Sequence, residues 1–579
     1  MSFLGVETSL TGRRWIGPAP DQQRKAEALE QQTGLAAALC QILAKRGVEA
    51  SDVDAFLTPT LKTLLPDPRS IKDMEKAATR VLQAVKSAER IAIFADYDVD
   101  GGSSGALLVD WLRQMGRSAT LYVPDRITEG YGPNTPAMEM LAGSHDLIIC
   151  VDCGTLSHDP IAAARSADVI VLDHHLGGET LPPALAVVNP NRQDESGDLA
   201  HLCAAAVVFL MLVEAGRQLR EAGEQGPNLM AMLDLVALAT VADVAPLVGV
   251  NRAFVRQGLR VMANRERPGL AALADVTKLD KAPSSQTLGF MFGPRVNAGG
   301  RIGKSDLGAR LLATHDPAEA LSIAQKLDEL NAERRAVEDQ VRLAAQAQAE
   351  ERGLDAPLVW AAGEGWHPGV VGIVASRLKE STNRPAIVIG LDGDEGKGSG
   401  RSVSGIDLGA QIQRLAQEGL LLKGGGHKMA AGLTVARDKL PEAMARLSEL
   451  LSKQGASDLG AADLKLDGVL MPMAATVEMI EQLEHAGPFG ASAPAPRFVF
   501  PDMQINFAKK VGANHLKISF SDGSAPRLDA IAFGAFDSAL GPSLHSHQGH
   551  RFHLAGRLEL NTWGGRTQPQ LRLEDAAKA

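Results

Sequence analysis

Between residues 90 and 173 the chain alternates short apolar runs with amphipathic stretches. The runs are IAIFA (91–95), ATLYV (119–123), DLIICV (146–151) and DVIVLD (168–173). Continuous apolar runs of this length, rich in β-branched residues, suit strands covered on both faces. Their separation by helical stretches predicts βαβ units and a parallel sheet. Helical patterns dominate from about residue 200 to 315. Residues 1–70 are mixed and mostly helical, broken by Pro59, Pro66 and Pro68 ahead of a helix from about Ile71 to Ala88.

Asp316-Pro317-Ala318-Glu319 combines an N-cap residue, a proline in the first turn and a capping-box acid, and no breaker follows before Gly353. A helix of about 36 residues, about 54 Å long, is predicted. Ile323, Leu327, Leu330, Val337, Val341 and Ala344 form one narrow apolar stripe interrupted by Arg334. That stripe suits a connector between two domains, with a coiled-coil dimer as the alternative. A second α/β region follows, with strands at APLVWAA and RPAIVIG and a glycine cluster at Gly424, Gly425 and Gly426. Nearer the C-terminus, FVF, LKISF and RFHLAGRLEL alternate with Gly and Pro turns, the pattern of a small β-barrel or sandwich. The expected fold class is α/β. The expected divisions are 1–70 (helical), 71–315 (parallel-sheet domain), 316–352 (connector helix), 353–458 (second α/β domain) and 459–579 (barrel).

Composition narrows the functional classes. Lys and Arg number 59 against 69 Asp and Glu, a net charge of −10, so the surface as a whole does not grip nucleic acid by charge. Residues 497–579 depart from this, with ten Lys or Arg against seven Asp or Glu. Four cysteines in 579 residues form no disulfide framework and fit a reducing compartment. The N-terminus lacks an apolar signal region, and the apolar run from Cys203 stops at Glu214. A soluble, cytoplasmic protein is expected.

The chemistry gathers where the strands end. The first runs into Asp96, Asp98 and Asp100; the third ends at Asp152; the fourth ends at Asp173-His174-His175; and the apolar segment LVALATVADVAPL carries Asp243. Parallel sheets bind ligands beyond the carboxyl ends of their strands, so these groups are expected in one crevice. Carboxylates so close would repel one another unless divalent cations compensated them. Many oxygens with one or two imidazoles suit Mn²⁺ or Mg²⁺, and two ions sharing a carboxylate suit phosphoryl displacement by activated water. Cys150 and Cys153 read as small buried apolar residues.

ADYDVDG, VDCG, LDHH and TVADVAPL, in this order, resemble the four motifs of the DHH phosphoesterase superfamily. GPRVNAGGRIG (293–303), GWHPGVVGIVASRL (365–378), GSGRS (398–402) and GGGHKMAAG (424–432) are similar to its subgroup of single-stranded-DNA-specific 5′ to 3′ exonucleases. The resemblance implies a DHH domain, a long connecting helix, a DHHA1 domain and a C-terminal OB-like barrel. It implies that Asp96, Asp98, Asp100, Asp152, His174 and Asp243 hold the metals, with Asp152 bridging. It also implies that Asp173 orients His174 and that His175 faces the scissile phosphate. Single-stranded DNA is the implied partner in recombination and repair. A single-strand-binding protein and a helicase are candidate protein partners, no membrane is involved, and a monomer is expected.

Lys397, Ser399 and Arg401 fall among alternating glycines, read as a loop that lets backbone N–H groups approach a 5′-phosphate while Arg401 clamps it. Arg126, Arg295, Asn297 and Arg301 are expected across the cleft. Gly424, Gly425, Gly426 and His427 are expected at the nucleic-acid face. Aromatic residues are only 4% of the chain, so backbone contacts should outweigh base stacking; Trp366 and Trp563 are the candidate platforms, with packing as the plainer role. Two rival functions stand beside this reading: a phosphodiesterase for short oligonucleotides or cyclic dinucleotides, and a non-catalytic nucleic-acid scaffold.

Overall fold

The computed structural model describes residues 2–126, 128–523, 526–563 and 565–579, apart from the side chain of Trp563, so that candidate lies outside the described residues. The chain forms two compact units, one of residues 64–459 and one joining 1–63 to 460–579.

In the larger unit, strands Ile91–Ala95, Ala119–Tyr122, Leu147–Val151, Asp168–Leu172 and Ala186–Val188 form a fully parallel sheet. The strand Ile91–Ala95 lies between Ala119–Tyr122 and Leu147–Val151. Every residue of Ile91–Ala95 and of Leu147–Val151 is buried, as continuous apolar runs require when helices cover both faces.

The connector helix spans Pro317–Arg352, and Asp316 caps it by accepting from the N–H groups of Ala318 (2.8 Å) and Glu319 (3.4 Å). Its stripe is covered by the chain itself. Ile323, Leu327 and Leu330 are buried in the first half, and Val341, Ala345 and Ala349 are buried against the second domain. Ala344, expected on the stripe, faces solvent and Ala345 replaces it. A straight helix turns every 3.6 residues, so a buried line drifts off a strict 3.5 repeat. Arg334, the interruption, is buried beside Asn331 (3.0 Å) and Glu338 (2.6 Å).

The second domain carries strands in the order Lys423–His427, Ala430–Ala436, Glu395–Arg401, Ala386–Asp392, Val359–Glu364. One expectation, the loop around Arg401, changes here. The segment holding Lys397, Ser399 and Arg401 is a strand, and Gly424 to His427 is an edge strand. The reason lies in the core. A Cβ at Gly396, Gly398 or Gly400 would sit 2.7–2.8 Å from Ile389 or Leu408, so glycine faces inward while the polar residues face outward. It is the ordinary period of two, with glycine in the apolar positions.

The smaller unit holds a ring of five strands, Phe498–Val511, His515–Ser521, Leu528–Ala532, Arg566–Lys578 and Arg551–Trp563, the last pairing back to the first. Phe500, Phe520 and Phe552 fill it. Residues 1–63 share this unit with residues 460–579. Arg14–Ile16 pairs in parallel with Asp463–Lys465, and buried Trp15 donates its Nε1–H to Asp575 (2.9 Å). A parallel pairing between segments so distant in the chain has no local signature.

Gly398→Val should lower unfolding stability by about 1–3 kcal/mol through overpacking. Gly425→Ala, whose Cβ meets nothing within 4 Å, should stay within about 0.5 kcal/mol of wild type. Denaturant melts of both variants check the inward and outward assignment.

Candidate metal centre and phosphate pocket

The sheet places its acids by continuing its hydrogen bonding one residue past each strand. Asp96 N–H reaches Val151 O (3.4 Å), Asp152 N–H reaches Leu172 O (3.0 Å) and Asp173 N–H reaches Val188 O (3.0 Å). Asp98 caps the helix Val99–Gln114, accepting from the N–H groups of Asp100 (2.9 Å) and Gly101 (3.1 Å). A Cβ at Gly101 would lie 2.5 Å from Asp96 O, so only glycine lets this helix start so close to the strand end. Asp100 is buried and accepts from Ala204 N–H (2.7 Å) and Ala205 N–H (2.8 Å), the first turn of the helix Ala204–Glu221. That terminus favours negative charge. Asp243 ends the helix Leu233–Ala242.

These elements bring Asp96, Asp98, Asp100, Asp152, His174 and Asp243 into one cluster. His174 Nε2 lies 3.3 Å from Asp152 Oδ1 and 3.7 Å from both Asp100 Oδ2 and Asp243 Oδ2. Three sets offer ligand atoms within 4.8 Å of one another: Asp96, Asp98 and Asp152; Asp100, His174 and Asp243; and Asp152, His174 and His175. Asp152 thus touches both halves of the cluster. Its backbone sits at φ 61°, a left-handed conformation uncommon outside glycine and of the kind that gathers at functional sites.

The electrostatics identify what the cluster accommodates. Burial, followed by the charges of Asp100, Asp98, Asp96 and Asp243, pushes the Asp152 carboxyl well above its usual range. Burial and Asp98 do the same to Asp96. Asp243 is raised to about 8 by burial and by Asp100 and Asp98, and burial also raises Asp100. Among the described residues, no hydrogen-bond donor meets the buried Oδ1 atoms of Asp96 and Asp152. Unmet lone pairs on carboxylates that repel one another are what bound divalent cations satisfy. The oxygen-rich donor set with imidazole fits Mn²⁺ or Mg²⁺. Cys150 and Cys153 are buried free thiols, and burial pushes Cys150 up to about 12, so neither offers a thiolate.

Asp173 requires a correction. Its Oδ1 accepts from the backbone N–H of His174 (2.8 Å) and of His175 (3.2 Å), and lies 2.8 Å from His175 Nδ1. The imidazole it holds is that of His175, because the turn it caps folds the residue two positions on back over the carboxylate. Against burial, that contact and those from Thr155 keep Asp173 far below the usual range. Burial lowers His175, but the hydrogen bond and charge of Asp173 outweigh it and raise the ring to about 9.

Several supporting residues escaped the sequence reading. Tyr131 Oη donates to Asp152 O (3.0 Å) and lies 3.1 Å from His175 Nε2. Asn189 donates to Thr155 Oγ1 and His175 O (2.8 Å each), and Asn191 donates to His174 O (2.6 Å). The signal was present, since ALAVVNPN is one more apolar run ending in polar residues at the sheet's carboxyl edge.

A basic group lies beside the carboxylates. Arg126 sits over the Tyr97 ring at 5.3 Å, and Arg301 donates to Gly369 O (3.1 Å). Burial, then Arg126 and Arg334, lowers Arg301 to about 10. Gly369 lies in the first turn of the helix Pro368–Thr382, capped by His367. A Cβ at Gly372, in the same first turns, would stand 3.1 Å from Ser399 Oγ and 3.2 Å from an Arg401 nitrogen. Arg401 donates to Ser399 Oγ (2.9 Å). Arg301, Ser399 and Arg401 therefore converge on one helix N-terminus, and His367 joins them unforeseen. Two expected members have other tasks. Arg295 is paired with Asp328 of the connector (2.8 Å), and Asn297 accepts from Val99 N–H (3.1 Å), holding the loop of Asp98. Gly424, Gly425, Gly426 and His427 lie at the free edge of the second sheet. Trp366 packs between Gly363 and Gly390.

An acidic and histidine cluster at the carboxyl edge of a parallel sheet, joined by a long helix to a second α/β domain, defines the DHH phosphoesterase class. Family models described as "DHH family, N-terminal domain", "DHHA1 domain" and "RecJ OB domain" match residues 90–240, 355–453 and 466–575. The single-stranded-DNA-specific exonuclease RecJ of Dickeya dadantii is 38% identical over 96% of this chain and 98% of its own. Among solved structures, RecJ from Thermus thermophilus in complex with Mn²⁺ is similar at TM-score 0.80 and 28% identity, covering 98% of this chain and 79% of that one. The same protein in complex with Mg²⁺ aligns at TM-score 0.73 and 27% identity, covering 98% and 78%. The chain belongs to the RecJ family.

The raised carboxyls set a pH dependence. An acid whose folded-state pKa exceeds its unfolded value stabilises the fold below the unfolded pKa and loses that contribution as pH rises through the folded one. Metal-free protein should therefore lose thermal stability from about pH 4 towards the Asp243 value of about 8. Mn²⁺ should raise Tm more at pH 8 than at pH 5. Equal metal-induced shifts at the two pH values would contradict the account.

Proposed function

We propose that this chain is a divalent-metal-dependent exonuclease that degrades single-stranded DNA from its 5′ end, releasing 5′-mononucleotides in recombination and repair. The observation that carries the reading is the buried carboxylate and histidine cluster beside an arginine-lined helix N-terminus. Asp96, Asp98, Asp100, Asp152, His174 and Asp243 would hold Mn²⁺ or Mg²⁺, with Asp152 shared between two ions. Such ions supply Lewis-acid charge at the scissile phosphate and make water a stronger nucleophile near neutral pH.

The remaining steps belong to the side chains. His175, oriented by its hydrogen bond to Asp173, would donate to an oxygen of the scissile phosphate and stabilise the charge that grows there. Tyr131 and Asn189 fix where that ring stands. Arg126, Arg301, Ser399 and Arg401, with the first turn of Pro368–Thr382, hold a terminal 5′-phosphate, which sets the direction of digestion. The basic excess of residues 497–579 and the match to an OB domain support a binding surface for the rest of the strand. The same domain argues against a phosphodiesterase of dinucleotides, which would have no use for it. Four buried free cysteines suit the cytoplasm, and among the described residues no helix is long and apolar enough to cross a membrane. A helicase and a single-strand-binding protein are the partners that would present such a strand.

Asp152→Asn keeps the shape and tolerates the left-handed backbone. It should reduce cleavage of a labelled single strand by about 10³-fold, the scale of lost electrostatic stabilisation at an active site, without lowering Tm. Near-normal turnover would refute the shared-ligand role. Arg401→Ala should reduce the preference for 5′-phosphorylated over 5′-hydroxyl ends by about tenfold, and an unchanged ratio would remove Arg401 from the pocket.

A further inference from the structure

A cleft of about 510 Å³ opens beside the carboxylate cluster, within the range of ligand pockets. One wall carries Ala242, the neighbour of Asp243, and the segment from Gly289 to Arg301. The connector helix forms the second wall and the helix Pro368–Thr382 the third. The proposed 5′-phosphate pocket lies at the first turns of that third helix; the two share Arg301, and this cleft meets the helix further along, at Ile373 and Arg377.

Two features distinguish its lining. Phe290 is 73% exposed, whereas Leu288 and Phe292 on either side are fully buried. The three belong to a π-helical turn, Thr287–Phe292, a form that recurs at functional sites and here sends one aromatic ring outward. Phe290 is the most exposed phenylalanine among the described residues, ahead of Phe533 and Phe507, and it lines a cleft. The second feature is charge. Arg301, Arg334, Arg335 and Arg377 line the cleft with Glu338 and Asp339. Glu338 is held by Arg334 at 2.6 Å and lies 3.7 Å from Arg377, which also pairs with Glu380 outside the lining at 3.3 Å, and Asp339 lies 3.5 Å from Arg342 outside the lining. The walls are therefore net positive in a protein whose net charge is −10. An exposed ring and guanidinium groups lining one cleft can take a base and its phosphate together.

We propose that this cleft is a nucleotide subsite, in which a base stacks on Phe290 while its phosphate faces Arg335 and Arg377. The nucleotide is either one unit of the strand being degraded or a released mononucleotide. The strand-borne case rests on the exonuclease reading; the free-nucleotide case does not.

The test titrates dAMP and, separately, inorganic phosphate into the Mn²⁺-loaded full chain by calorimetry. The proteins compared are wild type, Phe290→Ala, Phe290→Tyr and Phe290→Leu. Phe290 is exposed, so the variants should melt like wild type. Phe290→Ala should weaken dAMP binding by about tenfold, the scale of one base stacked on an aromatic ring. Phe290→Tyr should bind like wild type, Phe290→Leu should not, and phosphate affinity should be the same in all four. Equal dAMP affinity in wild type and Phe290→Ala would overturn the proposal, as would restoration by leucine, which is apolar but has no π-face. Kinetics on a long single strand then separate the sources. A KM raised about tenfold with kcat within about twofold assigns the subsite to the strand. An unchanged KM with weaker inhibition by dAMP assigns it to the released nucleotide. A wild-type protein that cuts no single strand would defeat the exonuclease reading while leaving the dAMP comparison to decide the subsite.

Discussion

Mutual repulsion among buried carboxylates is the constraint on which the larger unit turns. Asp96, Asp100 and Asp152 are almost inaccessible to water, and Asp98 and Asp243 stand close enough to raise their neighbours. Left to themselves, several would take up protons, and the fold would lose the charge it has assembled. Two devices temper the repulsion without removing it. The helix beginning at Ala204 turns two backbone N–H groups on Asp100, and Asp98 is used as a helix cap. What remains unmet, above all on Asp96 and Asp152, is the capacity to bind cations.

Backbone architecture converts this charge into a site with direction. Each acid on the sheet follows the last paired residue of a strand, so its position is held by the neighbouring strand's carbonyl. The connector helix buries one half of its stripe in the first domain and the other in the second, and it contributes a wall to the cleft beside the acids. In the second domain, glycines at alternate positions let the strand Glu395–Arg401 pack tightly on Ile389 and Leu408. The outward positions then carry Ser399 and Arg401 to the start of the helix Pro368–Thr382.

Much of this was legible in the residues. The four apolar runs mark four strands to within a residue or two, and the acids that end three of them lie in one crevice because parallel strands all end on the same edge. Asp316 and Pro317 mark the start of the connector, and Gly353 marks its end. Other features were hidden. Alternating glycines read as a loop when composition alone is weighed, since glycine shows no side chain by which to recognise an inward face. Arg295 matched a phosphate ligand by type, yet the helix that carries it turns it to Asp328.

The sequence by itself determined the order of elements and the chemical identity of the cluster, because strand and helix periodicity and the Asp and His motifs are local properties of consecutive residues. Only the tertiary structure decided that Asp173 serves His175, that residues 1–63 join the C-terminal barrel, and that Phe290 stands exposed in a cleft that four arginines help to line. Each of these depends on which way a turn rotates a side chain, or on contacts between residues far apart in the chain. Such directions follow from packing, which no linear pattern records.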